Sequence, residues 1–293
     1  MAVPFVRADH LKPGTVEELS PRIERLIANN PGPFTYTGTG TYILNGDDVS
    51  LVIDPGPDDR EHIERTVEAA KHPIAAILIT HTHRDHSGGA RALQALVGAE
   101  TYGFGPHPSG PNEASPALEE GADFGFSPDI RLADGDTLRW SGLTLEAVHT
   151  PGHIGNHLCF ALQEESALFT GDHIMGWATT VIAPPDGDMT AYMASLEILL
   201  KRRDQIYYPT HGAPITQPRP FVEAVKAHRL GRDRAILKAL NKGPREIIGI
   251  VEAVYLDLAP PLKMAAALNV KAHLEAHEAA GRVRREGDIF SLV

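Results

Sequence analysis

Four short apolar runs, each followed two residues later by a histidine or an aspartate, constrain this chain more than any other feature. Residues 74–79 lead to His81, 143–147 to His149, 168–170 to Asp172 and 206–209 to His211. Runs of this length, rich in aliphatic side chains and bounded by turn residues, read as buried strands. In α/β proteins the C-terminal edges of such strands are where sites assemble, so these four positions are expected to converge.

The segment after the first run, Thr80-His81-Thr82-His83-Arg84-Asp85-His86-Ser87-Gly88-Gly89, carries chemistry in its spacing. Residues two apart in an extended segment point the same way. His81 and His83 can therefore face one cation, while Asp85 and His86 at the start of a helix face a second. Gly88 and Gly89 let that helix pack closely beneath the site. Imidazole and carboxylate donors suit zinc, with iron and manganese as poorer fits. Cys159 is the only cysteine, so a thiolate-rich centre and an intrachain disulfide are both excluded. Among the other histidines, His153 and His173 read as hydrogen-bonding supports of neighbouring ligands, and His157 as structural. His10, His62, His72, His107, His228, His273 and His277 sit in polar or amphipathic contexts and are assigned surface or packing roles.

Along the chain, residues 36–54 read as a hairpin about the Asn45-Gly46-Asp47-Asp48 turn. Asp58 or Asp59 caps a helix to about residue 71, and Ser87 caps another over 88–97. Residues 102–128, rich in Gly, Pro and Ser, form a long loop. Strands follow at 130–140, interrupted by Asp134-Gly135-Asp136, and at 143–149, 158–162 and 167–170. A loop at 176–187 precedes a helix over 189–203 and a last strand at 206–209. After Pro218 and Pro220 the pattern turns helical over 221–240, 244–256, 261–268 and 270–280, and a hairpin about Glu286-Gly287-Asp288 closes the chain. The expected division is a catalytic domain over 1–218, then a linking helix and a winged-helix-like domain over 219–293.

Charge divides at the same place. Of the net −11, residues 219–293 contribute +4 (13 Lys+Arg against 9 Asp+Glu), leaving −15 for residues 1–218. Arg219, Lys226, Arg229, Arg232, Arg234, Lys238, Lys242 and Arg245 are opposed in their stretch only by Glu223 and Asp233. Such a stretch is either a solvated helix face or a patch that attracts a polyanion. The N-terminus has no apolar core of signal-peptide length, and no segment approaches the roughly 20 apolar residues that span a bilayer. The expectation is a cytoplasmic protein with no membrane partner; a homo-oligomer is allowed.

On these residues the chain resembles the metallo-β-lactamase superfamily over almost all of residues 1–218. The HxHxDH signature stands as His81, His83, Asp85 and His86, followed in family order by His149, Asp172 and His211. The resemblance implies an αββα sandwich with two zinc ions at one edge. His81, His83 and His149 would hold the first, Asp85, His86 and His211 the second, and Asp172 would bridge them. Flavodiiron relatives carry Glu where His83 stands, and class B1 lactamases carry Cys where Asp172 stands, so neither resembles this chain as well as hydrolases of thioesters, lactones and phosphodiesters do. Asn30-Pro31-Gly32-Pro33-Phe34-Thr35, Gly38-Thr39-Gly40-Thr41-Tyr42, Ile53-Asp54-Pro55-Gly56-Pro57 and the winged-helix tail look like the lactamase-beta-2-like group, which usually has Asn where Gly40 stands.

Two zinc ions sharing a water lower its pKa from about 15.7 toward about 7, which gives a hydroxide nucleophile at neutral pH. Asp85 would orient that nucleophile, and His173 is the best candidate to protonate the leaving group. Three functions compete. One is a phosphodiesterase or endoribonuclease acting on single-stranded RNA. The second is a small-molecule thioesterase or lactonase resembling glyoxalase II, and the third a non-enzymatic winged-helix binding module with a structural metal domain.

Overall fold

Side-chain alternation sorts the strands into layers. In the computed structural model, which describes residues 2–110, 121–256 and 258–293, β1 (Val16–Ser20), β2 (Ile23–Ile27), β3 (Gly40–Asn45) and β4 (Ser50–Ile53) form an antiparallel meander. Helix α1 (Arg60–Ala69) leads to β5 (Ile74–Leu78), and α2 (Arg84–Ser87) and α3 (Ala90–Val97) lead to β6 (Glu100–Gly103) and β7 (Ile130–Arg131). These last three strands add in parallel, giving one sheet in the order β1 to β7.

The second sheet takes β8 (Thr137–Trp140), β9 (Leu143–His149), β10 (Leu158–Leu162) and β11 (Ala167–Gly171); after α4 (Met189–Lys201) it takes β12 (Ile206–Pro209). Its order is β12-β11-β10-β9-β8, with only β11 and β12 parallel. Tyr42, Leu44, Leu51, Ile53 and Leu78 of the first sheet meet Leu145, Leu158, Phe160, Phe169 and Tyr208 of the second in a core between the sheets. The alternate residues Ile43, Val52 and Ile77 face outward under Ile63 of α1 and Leu93 of α3. Cys159, Ala161 and Leu168 face outward under Tyr192 and Leu196 of α4. Period-two alternation thus fills both faces of each sheet, and the αββα sandwich follows.

Several expected boundaries move. The 130–140 region is shared between sheets: β7 closes the first, and the turn at Gly135 (φ 81°) hands the chain to β8 in the second. Ser87 does not cap α3; its hydroxyl donates to the His83 carbonyl and to Asp123, and Gly89 occupies the cap. A Cβ at Gly89 would lie 3.0 Å from the carbonyl oxygens of Pro55 and Pro57, the close approach expected of this glycine pair. Of the long loop at 102–128, residues 111–120 lie outside the described residues. β1 and β2 lie where no strand was expected.

The C-terminal part holds α5 (Pro218–Leu240), α6 (Ile247–Val254), α7 (Lys263–Ala279) and the hairpin β13 (Val283–Glu286) and β14 (Ile289–Leu292). Pro218 and Pro220 open α5 rather than precede it, since first-turn N–H groups have no helical partner to lose. The helices expected at 261–268 and 270–280 are one, because Asn269 turns its amide onto the Ala265 carbonyl within the helix. Phe221, Val222 and Val225 of α5 pack beneath the second sheet, whereas Ile236 and Leu240 pack with Ile250, Val270, Leu274 and Phe290. One helix therefore serves two cores. Among the described residues no helix is long and apolar enough to cross a membrane.

Candidate metal centre

Strand ends from both sheets deliver the candidate ligands to one edge. His81 and His83 follow β5, Asp85 and His86 lie in α2, Asp172 follows β11 and His211 follows β12. Their donor atoms form three overlapping groups, His81/His83/His153, His81/His86/Asp172 and Asp85/His86/His211, each within 4.8 Å. Nε2 of His81 and Nε2 of His153 lie 2.9 and 3.1 Å from Nδ1 of His83. Nε2 of His86 and of His211 both lie 3.3 Å from Asp85 Oδ2, and 3.6 and 3.5 Å from Asp172 Oδ1. The other oxygen of Asp172 is 4.0 Å from His153. Asp172 stands between the two sets.

Outward hydrogen bonds fix which nitrogen faces inward. Nδ1 of His86 lies 2.8 Å from Asp54, Nδ1 of His153 is 2.8 Å from the Val181 carbonyl, and Nδ1 of His211 is 3.3 Å from the Gly38 carbonyl. Nδ1 of His81 lies 3.0 Å from the Thr80 hydroxyl, whose own proton goes to Asp54 at 2.7 Å. Each outer nitrogen donates, which leaves Nε2 as the nitrogen that faces inward. Asp85 Oδ1, both oxygens of Asp172 and Nε2 of His86 and His211 are buried with no hydrogen-bond partner among the described residues. Converging, unsatisfied imidazole nitrogens and carboxylate oxygens fit divalent cations such as zinc.

Electrostatics separates the two sets. Burial, then the neighbouring imidazoles, hold His81 well below the usual histidine range; His83 falls to about 3, mainly by burial. These rings are neutral, as ligands must be. Burial also opposes charge on His211 and His86, but Asp172 and Asp85 outweigh it, raising His211 to about 9 and His86 well above its ordinary value. Asp85 is held well below the usual carboxylate range: burial resists ionisation, and His86 and His211 overcome it.

Two expected residues lie elsewhere. His149 stays in β9, its ring stacked on Phe104 with centroids 4.1 Å apart and Nε2 3.0 Å from the Gly155 carbonyl. It belongs to none of the three donor groups, and His153 takes the place expected of it. The cause is the turn after β9. Gly152 (φ 140°) runs against Tyr192 so closely that a Cβ would sit 2.3 Å from its Cα, and this bend presents the next residue to the site. His173 follows Asp172 but turns toward Tyr192, ring centroids 4.7 Å apart, with both ring nitrogens unpartnered among the described residues. Burial pushes it down to about 3, so at neutral pH the ring is neutral and is not an imidazolium acid for a leaving group.

Three supports were not anticipated. Asp54 adopts a left-handed φ of 51°, rare for a non-glycine, and its carboxylate accepts from the Thr80 amide, the Thr80 and Thr210 hydroxyls and His86. The Asp54-Pro55-Gly56 motif was its only sequence signal. His157 accepts the Asp172 amide at 3.2 Å and pairs with Thr150 through its other nitrogen. Thr39, bonded to Asn30 through both its amide and its hydroxyl, lies 3.2 Å from Asp85 Oδ2. At Gly40, a Cβ would come within 3.0 Å of the Thr210 carbonyl and 3.1 Å of Cδ of the buried Arg25, so the space beside this position is filled by an arginine stem.

Residues 37–211 match the metallo-beta-lactamase superfamily, and residues 249–291 match the beta-lactamase associated winged helix domain. An atrochrysone carboxyl ACP thioesterase of Aspergillus chevalieri is 35% identical over 237 residues, which cover 80% of this chain and 70% of that protein. The atrochrysone carboxyl ACP thioesterase dmxR1 of a Cryptosporiopsis species is 33% identical over 78% of this chain and 65% of its own length. The chain thus spans about two thirds of the length of these relatives. Among solved structures, a beta-lactamase domain protein from Burkholderia ambifaria superposes with a TM-score of 0.81 at 22% identity, covering 98% of this chain and 96% of its own. A metallo-beta-lactamase family protein from Thermus thermophilus gives 0.76, also at 22% identity, over 94% and 100%. A superfamily match across the whole ligand-bearing segment, on an αββα sandwich with its characteristic appended domain, places this chain in the metallo-beta-lactamase superfamily of hydrolases.

Proposed function

We propose that the chain is a zinc-dependent thioesterase acting on an acyl thioester of the kind presented by an acyl carrier protein. The observation that carries this reading is the set of unsatisfied donors converging on two positions, found in a chain 33–35% identical to proteins named as carboxyl ACP thioesterases. His81, His83 and His153 would hold one zinc, and Asp85, His86 and His211 the other, with Asp172 shared. Bound zinc supplies Lewis acidity and a water whose pKa falls toward about 7.

The chain's own residues then do the rest. Asp85, steadied at Oδ2 by Thr39, uses its free Oδ1 to orient the attacking water. The water oxygen joins the thioester carbonyl carbon, the C–S bond breaks, and a carboxylate and a thiol leave. Thiols are far stronger acids than alcohols, that of cysteine ionising near about 8.5, so the leaving sulfur can depart as thiolate with little need of a proton donor, which suits a site from which His173 is turned away.

Two arginines of the basic stretch are engaged inside the fold, which favours the thioester over a polyanionic substrate. Arg229 is buried and bonded to the Thr180 carbonyl and Asn269, and Arg232 donates to the Val254 carbonyl while lying 4.2 Å over the Tyr255 ring. Part of the basic stretch is therefore internal packing rather than an open patch. Pure protein should hydrolyse acyl-pantetheine thioesters, lose this with chelator and regain it with about two equivalents of zinc. Cleavage of RNA or phosphodiesters without thioester turnover would overturn the assignment.

A further inference from the structure

A short strap ties the C-terminal helices to the candidate metal centre. Residues 180–182 cross between the Asp172-His173 turn and the helices α5 and α7. On one side the Thr180 hydroxyl donates to the carbonyls of Asp172 at 2.7 Å and His173 at 3.1 Å. On the other, Arg229 of α5 donates to the Thr180 carbonyl, and the Ile182 amide donates to Asn269 Oδ1 of α7 at 3.1 Å. Arg229 and Asn269 are themselves joined at 3.0 Å. Between these anchors, the Val181 carbonyl accepts from Nδ1 of His153 at 2.8 Å.

Arg229 is 2% exposed and lies over Tyr192 at 5.0 Å, and no carboxylate among the described residues pairs with it. A buried guanidinium bonded only to neutral oxygens is costly for stability alone. We infer that Arg229 and Asn269 are positioning residues: they clamp residues 180–182 so that the Val181 carbonyl holds His153 with its Nε2 facing His83. The C-terminal unit is then a working part of the site. This inference rests on the metal reading of His81, His83 and His153. The supporting bond acts as such bonds do at metal centres, where loss of the partner costs roughly 10- to 100-fold in metal affinity.

Zinc affinity of the full chain, measured stepwise against a chromophoric chelator, tests it. Arg229→Met and Asn269→Leu should weaken one of the two zinc equivalents roughly 10- to 100-fold and leave the other unchanged. Arg229→Lys, which keeps a donor and folds more readily, should recover part of the loss. Asp233→Asn is the control, because Asp233 ties α5 to His273 and His277 of α7 at 3.2 and 2.7 Å without touching the strap. It should lower the melting temperature and leave both affinities alone. Folded Arg229→Lys and Asn269→Leu proteins with two wild-type affinities would overturn the inference. So would losses matched by Asp233→Asn. If wild-type protein and His153→Ala bind zinc equally, the metal reading itself fails.

Discussion

Three residues lie between the histidine that reaches the candidate centre and the one that does not. His153→Ala should remove one zinc equivalent and lower turnover by about 100-fold or more, the size of several kcal/mol of lost charge stabilisation. His149→Ala should keep both metals and cost only about 1 kcal/mol of stability through the lost stack on Phe104. Metal analysis with turnover on the two variants checks this, and the reverse ranking would refute the placement. Asp54→Asn tests the support of His86. An amide there offers one acceptor oxygen where the carboxylate serves the Thr80 amide and hydroxyl, Thr210 and His86, so metal affinity should fall roughly 10- to 100-fold. The donor types were legible in the sequence because HxHxDH places four of them in six positions. The role of Asp54 was not, since its partners come from two segments far from it in the chain, Thr80 with His86 and Thr210.

At the scale of elements, short apolar runs made β3, β4, β5, β9 and β12 readable, because their apolar residues occupy both faces of a covered sheet. β2 was missed because Glu24 and Arg25 interrupt its apolar run; both are buried, Arg25 bonded to Glu17 and the Gly212 carbonyl. Such pairing across strands leaves no local signal. The basic helix α5 misleads for the same reason: its arginines look solvated in sequence, yet Arg229 and Arg232 face inward. Neutralising Arg229, Arg232 and Arg234 together should therefore lower the melting temperature, while Arg234→Ala alone, at an exposed position, should change stability by less than about 0.5 kcal/mol. Gly152→Ala tests the turn beyond β9. Its φ of 140° disfavours alanine and the Cβ would meet the Tyr192 backbone, so a loss of at least about 1–3 kcal/mol is expected, with weakened binding at the His153 site. Unfolding curves and zinc titration of these variants separate packing from ligation.

Over the whole molecule, α/β layering and the appended helices followed from pattern and the αββα sandwich from the family resemblance, whereas the way α5 joins two cores depends on contacts between residues far apart in the chain. The same burial that builds those cores makes stability depend on pH, and His62 isolates the effect away from the metal centre. It is 4% exposed, with Nε2 2.8 Å from the Thr41 hydroxyl. Burial pushes it down to about 4; Asp59 opposes this weakly and Arg65 adds to it. An unfolded histidine titrates near about 6.5, so between these values the unfolded chain binds the proton and the folded chain does not. Stability therefore rises with pH across this window. The contribution is fully present above about pH 6.5 and is lost progressively as pH falls toward about 4, amounting to about 3 kcal/mol for the full shift. His62→Gln retains a polar group but cannot titrate. Comparing it with wild type in urea at pH 7, 5.5 and 4.5 cancels the contribution of the other histidines, and the variant should lose less stability on acidification. Parallel losses in the two proteins would show that His62 is not a group whose protonation opposes the fold.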